Sequence, residues 1–502
     1  MFRAKPPCLA MRTVFNERMG NMQKSTRAIL NHFEHINTIP RCSKNEGQLQ
    51  LWLKEWANAR GFKSRADAAG NLVVRVPAAR GCENAPTVVI QGHLDMVCEK
   101  TPDSDHNFDT DAITSHMDGD WLTADRTTLG ADNGIAIAYA LALAEDASLK
   151  HPPLELLFTV DEETGLNGVK AMADNLIEGR RLINLDSEDE GIFTIGCAGG
   201  MDTTIEMELQ TEALGAADAW VAITIGGLTG GHSGIDIHKR RANANKLLAR
   251  VLDRLLARVP CRLVRLSGGT RHNAIARDAS LLLICESAVQ EAVLEVVREI
   301  EQVVKRECGA IEPDLVMKAE TTSPSEASGL TPADTRRITD LLLAMPHGVA
   351  GMSQAVEGLV ETSSNLATVN LEGGRLTVLS SQRSAMMSRL DQITGRVHAV
   401  ARLAGAAARD TNAYPPWQPD AEATLLRESQ SVYRRLYKKE PAIQVIHAGL
   451  ECAIIGDLYP GMEMISFGPT IRNPHSPGER LHVPSVEKVW QFLVALLSTL
   501  GS

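Results

Sequence analysis

The stretch VVIQGHLDMV, residues 88–97, sets the terms on which the rest of the chain is read. Val88 to Ile90 are apolar, a Gly follows Gln91, and then His93 and Asp95 stand two positions apart. Residues i and i+2 of a strand point to one face. At a strand's end, the two side chains therefore aim at one spot while Val88–Ile90 anchor that spot in a core. A neutral imidazole is a good zinc ligand, and it usually needs a carboxylate behind it to fix its ring. A lone His-x-Asp occurs by chance in many chains. The weight falls on whether the sequence supplies further ligands in matching settings.

Outward from this stretch, NLVVRVP (71–77) is another strand. Residues 25–61 read as helices, with Leu49, Trp52, Leu53 and Trp56 at helical spacing and Gly61 as a cap. Asp103 to Trp121 is polar and aperiodic and reads as a loop. LTADRTTLGADNG leads into the helical run IAIAYALALAEDA (135–147), which places Asp132 at a loop-to-helix junction. N-capping and metal ligation are both open to it there. LELLFTVDEETG (154–165) is an apolar strand that ends in Asp161, Glu162 and Glu163, whose repulsion a divalent cation would relieve. RLINLDSEDEG (181–191) repeats the design and ends in Asp186. Open α/β sheets place their sites at the carboxyl ends of strands. The alternation over 25–195 predicts an α/β layer fold.

From about residue 200 the pattern changes. AWVAITIGG (219–227), CRLVRLSGG and ASLLLICES read as strands, and 243–259, 287–307 and 384–405 as helices. A hairpin is expected around Glu372-Gly373-Gly374. This order predicts an α+β insert over 200–396. Afterwards come a helix at 425–439, a strand leading to a turn at 442–451, and a strand at 464 that runs into a loop carrying His475. A helix closes the chain. The expected division is an extension over 1–24, a catalytic domain from 25–199 and 397–502, and the insert between them.

A chain of 502 residues is long enough for two cores, and with 4% aromatic residues those cores must be aliphatic. A formal charge of −11 argues against nucleic acid or an anionic membrane as partner. No apolar run reaches the roughly 18 residues that span a bilayer, and no signal peptide is expected. Nine scattered Cys without C-x-x-C spacing suit reduced thiols in a cytosol.

His93, Asp132, Glu163, Asp186 and His475 each follow a strand or precede a helix. Two His and three carboxylates can hold two zinc ions if one carboxylate bridges them. The spacing does not pair ligands with metals. Glu162 is placed to act as general base, and Asp95 to hold His93 in register.

GHLDMV, TLGADNGI, DEETGL, NLDSED and GPTIRNPHSPGERLH closely resemble the M20 metallopeptidases, and in particular their bacterial dipeptidases of the aminoacyl-histidine type. The resemblance runs in order over nearly all of 25–500 and includes IQVIHAGLEC and AYPPWQPDA. It implies a fold of the α/β class: a two-domain, mixed-sheet zinc-peptidase catalytic domain with an inserted α+β lid. It implies that His93 and Asp186 hold one zinc, Glu163 and His475 the other, and that Asp132 bridges, with Mn2+ or Co2+ able to substitute. Glu162 would be the base and Asp95 the orienting acid. GGLTGGHSGIDIH implies that His232 stabilises the oxyanion, RHNAIAR offers Asn273, and SSQRS offers Arg383 for the substrate's carboxylate. Gly449 is a weaker substrate-binding candidate. The chain departs from the family at Ala453, where Gly is usual, and at Ile235 and Asp236 of the lid motif. The activity expected is hydrolysis of unblocked dipeptides, Xaa-His and broader, by a cytoplasmic homodimer. A tripeptidase, an N-acyl amino acid deacylase and a non-catalytic zinc-binding scaffold are the alternatives.

Overall fold

The strand Val88–His93 lies inside an eight-stranded sheet. The strand order is Lys63–Ala66, Leu72–Val76, Leu154–Thr159, Val88–His93, Arg181–Asn184, Glu463–Ser466, Ile192–Cys197 and Ala442–Ile446. The structure is a computed structural model and describes residues 22–214, 218–323, 328–354 and 358–502. Most of the expected N-terminal extension lies outside the described residues. The four middle strands, from Leu154–Thr159 to Glu463–Ser466, run parallel. Their carboxyl ends therefore open along one edge of the sheet, where sites of open α/β sheets gather. All residues of Val88–His93 and Leu154–Thr159 are buried, which is why both read as near-continuous apolar runs.

The helix Ala131–Glu145 packs on the Val88–His93 strand and is buried almost all round, through Ile135, Ile137, Tyr139 and Leu141. The approach depends on Gly92. A Cβ there would overlap the Asn133 side chain and Ala136. Asp132 and Asn133 leave helical geometry at φ −81°, ψ 106° and φ −116°, ψ 30°. Asp132 accordingly does not cap this helix in the ordinary way; Gly130 precedes it as the N-cap residue.

A second unit comprises Cys197–Gln418 and Ile446–Gly449. Its main sheet is antiparallel, in the order Val316–Thr322, Asp218–Gly226, Ala279–Glu286, Cys261–Gly268, Val360–Glu372, Arg375–Ser384, Gly199–Glu208 and Ala407–Tyr414. Gly348–Met352 pairs alongside Val360–Glu372. The helices Ala244–Leu256, Gln290–Cys308, Pro332–Ala344 and Met387–Leu403 bring Leu248, Leu252, Val297, Leu342 and Val397 against Val221, Leu283, Leu366 and Val378 in one core. Alternation along the strands sends Ser363, Asn365, Ser381 and Arg383 to the face away from that core.

Four expectations change. Ser115–Asp118, inside the stretch read as a loop, and Trp121–Ala124, which starts at its last residue, form a hairpin that joins Arg480–His482 and Ile471–Arg472 in a small sheet. Ser115–Asp118 has no buried residue, and Trp121–Ala124 buries only Leu122 and Ala124, too short an alternation to read. The turn expected after 442–451 opens the helix Glu451–Leu458. The boundary expected at 396 falls within Met387–Leu403, a helix that packs on four strands of the second unit. Cys42 and Cys98 form a disulfide, with Cα atoms 5.7 Å apart. A bridge between Cys42 and Met96 sets those two stretches side by side, a proximity that a sequence separation of 56 does not reveal.

Candidate active site

His93 Nε2 lies 3.1 Å from Asp132 Oδ1 and 3.5 Å from Asp186 Oδ1. The other oxygen of Asp132, Oδ2, is 3.1 Å from His475 Nε2, which in turn is 3.0 Å from Glu163 Oε1. Two triads result, His93–Asp132–Asp186 and Asp132–Glu163–His475, each with its ligand atoms within 4.8 Å of one another. Asp132 belongs to both, through different oxygens. Glu162 groups with His93 and Glu163 at the same spacing.

The donor set fits a pair of divalent cations. Ligand atoms 2.0–2.1 Å from a tetrahedral zinc sit about 3.3 Å from one another, and the four separations above run from 3.0 to 3.5 Å. One ring N–H cannot point squarely at both carboxylates that it faces, whereas a cation can bind both at full strength. Glu163 Oε1 is buried and makes no well-aligned hydrogen bond despite its closeness to His475.

The charges agree. Burial pulls the His93 imidazole down, but its bonds to Asp132, Asp186 and Asp95 outweigh this and hold it well above the usual range. His475 is likewise pushed up by Asp132 and Glu163 against its burial. Burial raises Glu162, Glu163 and Asp186, and the neighbouring carboxylates add to each. The cluster thus draws protons to balance its acids. Divalent cations supply the same charge and displace those protons.

Asp95, wholly buried, is 3.3 Å through Oδ1 from His93 Nδ1. It also accepts from the Glu162 amide at 3.0 Å, the Glu163 amide at 3.1 Å and the Ser43 hydroxyl at 2.8 Å. Burial alone would raise it, yet these partners bring it down to about 2. One carboxylate therefore fixes the His93 ring and the acidic loop together.

The remaining expected residues belong to the second unit. His232 Nδ1 accepts from the Gly234 and Ile235 amides, both at 3.1 Å, so the proton of a neutral ring sits on Nε2. His232 pairs with Ala274 across a two-residue ladder, and the Ser233 amide bonds Asn273 O at 2.8 Å. Arg383 is buried, and its Nη1 donates to Tyr414 Oη at 2.8 Å. The Tyr414 ring lies against Gly449 and Gly200, where a Cβ at either would crowd it.

Residues 89–499 match the family described as Peptidase family M20/M25/M40. The chain belongs to that family. It is 39% identical to the cytosol non-specific dipeptidase of Escherichia coli over 475 residues, 95% of this chain and 98% of the relative. The crystal structure of the aminoacylhistidine dipeptidase from Vibrio alginolyticus superposes with a TM-score of 0.85 at 40% identity, covering 96% of this chain and 98% of that one. The aminopeptidase PepT of Bacillus cereus shares the fold at a TM-score of 0.56 and 14% identity, with 95% and 99% covered. No described helix is long and apolar enough to cross a membrane.

Several residues that brace this site were assigned no role from the sequence, although Asn133, Glu188 and Glu479 stand inside its motifs. Glu479 accepts from the Leu129, Gly130 and Asp132 amides at 2.8, 2.9 and 3.2 Å, and so shapes the loop that presents Asp132. The buried Arg41 donates to Leu94 O and Asp95 O at 3.1 Å and to Gly130 O at 2.5 Å. Asn133 accepts from the His93 amide at 3.2 Å and donates to Leu185 O at 2.9 Å. Glu188 is pushed up to about 8 by burial and by Asp132 and Asp186. The one available signal was position, since Glu479 and Glu188 lie close to His475 and Asp186 in sequence.

Proposed function

We propose that this M20 peptidase is a dipeptidase that hydrolyses the peptide bond of unblocked dipeptides, Xaa-His and broader, with two divalent cations and Glu162 as general base. The observation that carries this reading is the pair of triads sharing Asp132, with Glu162 grouped beside His93 and Glu163. His93 and Asp186 would hold one cation, Glu163 and His475 the other, and Asp132 both. When bound, such cations supply Lewis-acid polarisation of the scissile carbonyl and make water a stronger acid.

The side chains do the rest. Glu162, raised by burial, takes a proton from the attacking water and delivers it to the leaving amine. Asp95 orients His93. His232 donates from Nε2 to the developing oxyanion, and Asn273 binds substrate beside it. Arg383 takes the substrate's carboxylate, for which its planar fork is suited, and Gly449 leaves room for Tyr414 at its side. Zinc suits two imidazoles and three carboxylates, with Mn2+ or Co2+ as substitutes. The second unit serves as the lid, and the assembly is a cytoplasmic homodimer, which light scattering measures.

Glu162→Ala tests the reading. It is expected to lower kcat by at least about 10²–10⁴-fold, the usual worth of a general base, while bound metal stays at the wild-type stoichiometry. A variant with near-wild-type turnover of a dipeptide panel would overturn the assignment.

A further inference from the structure

His447 and Arg383, both in the second unit, each hold a buried nitrogen that makes no well-aligned hydrogen bond. His447 is 7% exposed and bonds Ser363 Oγ through Nε2 at 2.7 Å, while its Nδ1 makes no well-aligned hydrogen bond and the Val360 carbonyl gives the ring only a weak one. Arg383 is also 7% exposed; Nη1 is engaged by Tyr414, and Nε has no partner. The two are tied together by register, because Ser363, which holds the His447 ring, is the direct cross-strand partner of Arg383. The backbone of His447 is fixed as well: its carbonyl packs so closely on Gly234 that a Cβ there would overlap it. Buried donors and acceptors left without partners are costly, and native chains keep few of them without a ligand or water to satisfy them.

We propose that His447 is a specificity-determining residue, donating from Nδ1 to the same substrate carboxylate that Arg383 binds. The inference rests on the proposed role of Arg383. The Ser363 hydroxyl can donate to Nε2, which leaves the ring proton on Nδ1. Burial, followed by the nearness of Arg383 and then His232, holds the imidazole down at about 3, against a small pull from the Val360 carbonyl. The ring therefore contributes a neutral hydrogen bond at working pH, and Arg383 contributes the charge. Two donors of fixed direction recognise a free α-carboxylate more narrowly than one guanidinium does. A C-terminal amide that turns its NH2 toward His447 sets donor against donor, and binding it the other way forfeits a charge-assisted bond. The substrate class selected is peptides with a free C-terminal carboxylate over their amides.

The test compares a dipeptide with its C-terminal amide in the metal-loaded enzyme. His447→Phe keeps an aromatic ring and removes the donor. It is expected to lower kcat/KM for the free acid by about 10–100-fold, the worth of a hydrogen bond to a charged group. The loss should fall in KM, with under about threefold change for the amide. His447→Asn returns a donor near the Nδ1 position and should recover most of the preference. Ser363→Ala leaves the ring in place and should give a smaller loss with the same bias toward the acid. If His447→Phe fails to fold, Ser363→Ala and His447→Asn decide alone. Arg383→Met separates the two readings. If it leaves the acid-over-amide preference intact, the carboxylate role of Arg383 is wrong and this inference falls with it. If it erases the preference while the His447 and Ser363 variants affect acid and amide equally, Arg383 keeps its role and the inference alone is overturned.

Discussion

Glu451 is wholly buried, and its Oε2 accepts from Gln91 Nε2 at 2.6 Å and from Thr159 Oγ1 at 2.7 Å, while Oε1 has no partner. Asn184 extends the chain by donating to Gln91 Oε1 at 2.6 Å. Gln91 and Asn184 each sit two residues before a triad member, His93 and Asp186, and Thr159 two before the acidic run. Burial pushes Glu451 up to about 7, although Thr159 and the nearby His93 oppose it. Its folded pKa thus exceeds the ordinary carboxylate value, and between about pH 4.5 and 7 the folded chain keeps a proton that the unfolded chain releases. Stability from this residue therefore falls as pH rises through that window. Glu451→Gln keeps an acceptor for both donors and carries no charge. In metal-stripped protein it should be more stable than wild type at pH 8 by about 1–3 kcal/mol, and by little at pH 4.5. Urea midpoints at the two pH values measure this, and an equal difference at both would contradict it. The five triad residues were legible in the sequence because each follows a strand or opens a helix. Glu451, Glu479 and Arg41 were not. Glu479 and Arg41 act on backbone atoms, which leave no mark in a residue string, and Glu451 acts on Gln91 and Thr159, which are 360 and 292 residues away in sequence.

Among the elements, the Val88–His93 strand and the helix Ala131–Glu145 carry the geometry of the site, since one ends in His93 and the other starts at the Asp132 turn. Gly92 lets them meet. Gly92→Ala should cost about 1–3 kcal/mol by overpacking. It should also weaken metal binding, because the displaced Asn133 holds the His93 amide at 3.2 Å and Leu185 O at 2.9 Å. A metal titration alongside urea unfolding reads both effects; a variant destabilised with unchanged metal affinity would separate packing from site geometry. Buried strands and long amphipathic helices were readable because burial imposes a pattern. The Ser115–Ala124 hairpin was not, since its strands are four residues each and only Leu122 and Ala124 are buried. The Glu451–Leu458 helix is short, and the turn residues before it masked its start.

Across the whole molecule, all five triad residues belong to one unit and none to the other. Stripping metal should therefore lower the stability of only the first unit, because a ligand stabilises the part that binds it by RT ln(1 + [L]/Kd). Calorimetry with and without chelator is expected to move one unfolding transition and leave a second in place; a uniform shift of all unfolding would argue for a single cooperative block. The change near residue 200 marked where the second unit begins, but its end was obscured. Ala407–Tyr414 continues its sheet, and Ile446–Gly449 rejoins it after a segment of the first unit.

The strand Glu463–Ser466 fills the place between Arg181–Asn184 and Ile192–Cys197. During synthesis this imposes an order. Most of the second unit leaves the ribosome as one continuous piece, while the eight-stranded sheet still lacks an inner strand. Until residue 463 emerges, two strands stand about 10 Å apart with unpaired backbone facing the gap. A nascent chain halted there exposes β edges that recruit chaperones or aggregate. It also carries Asp132 and Glu163 before His475 exists to complete their triad, so metal loading of that half waits until residue 475 has emerged.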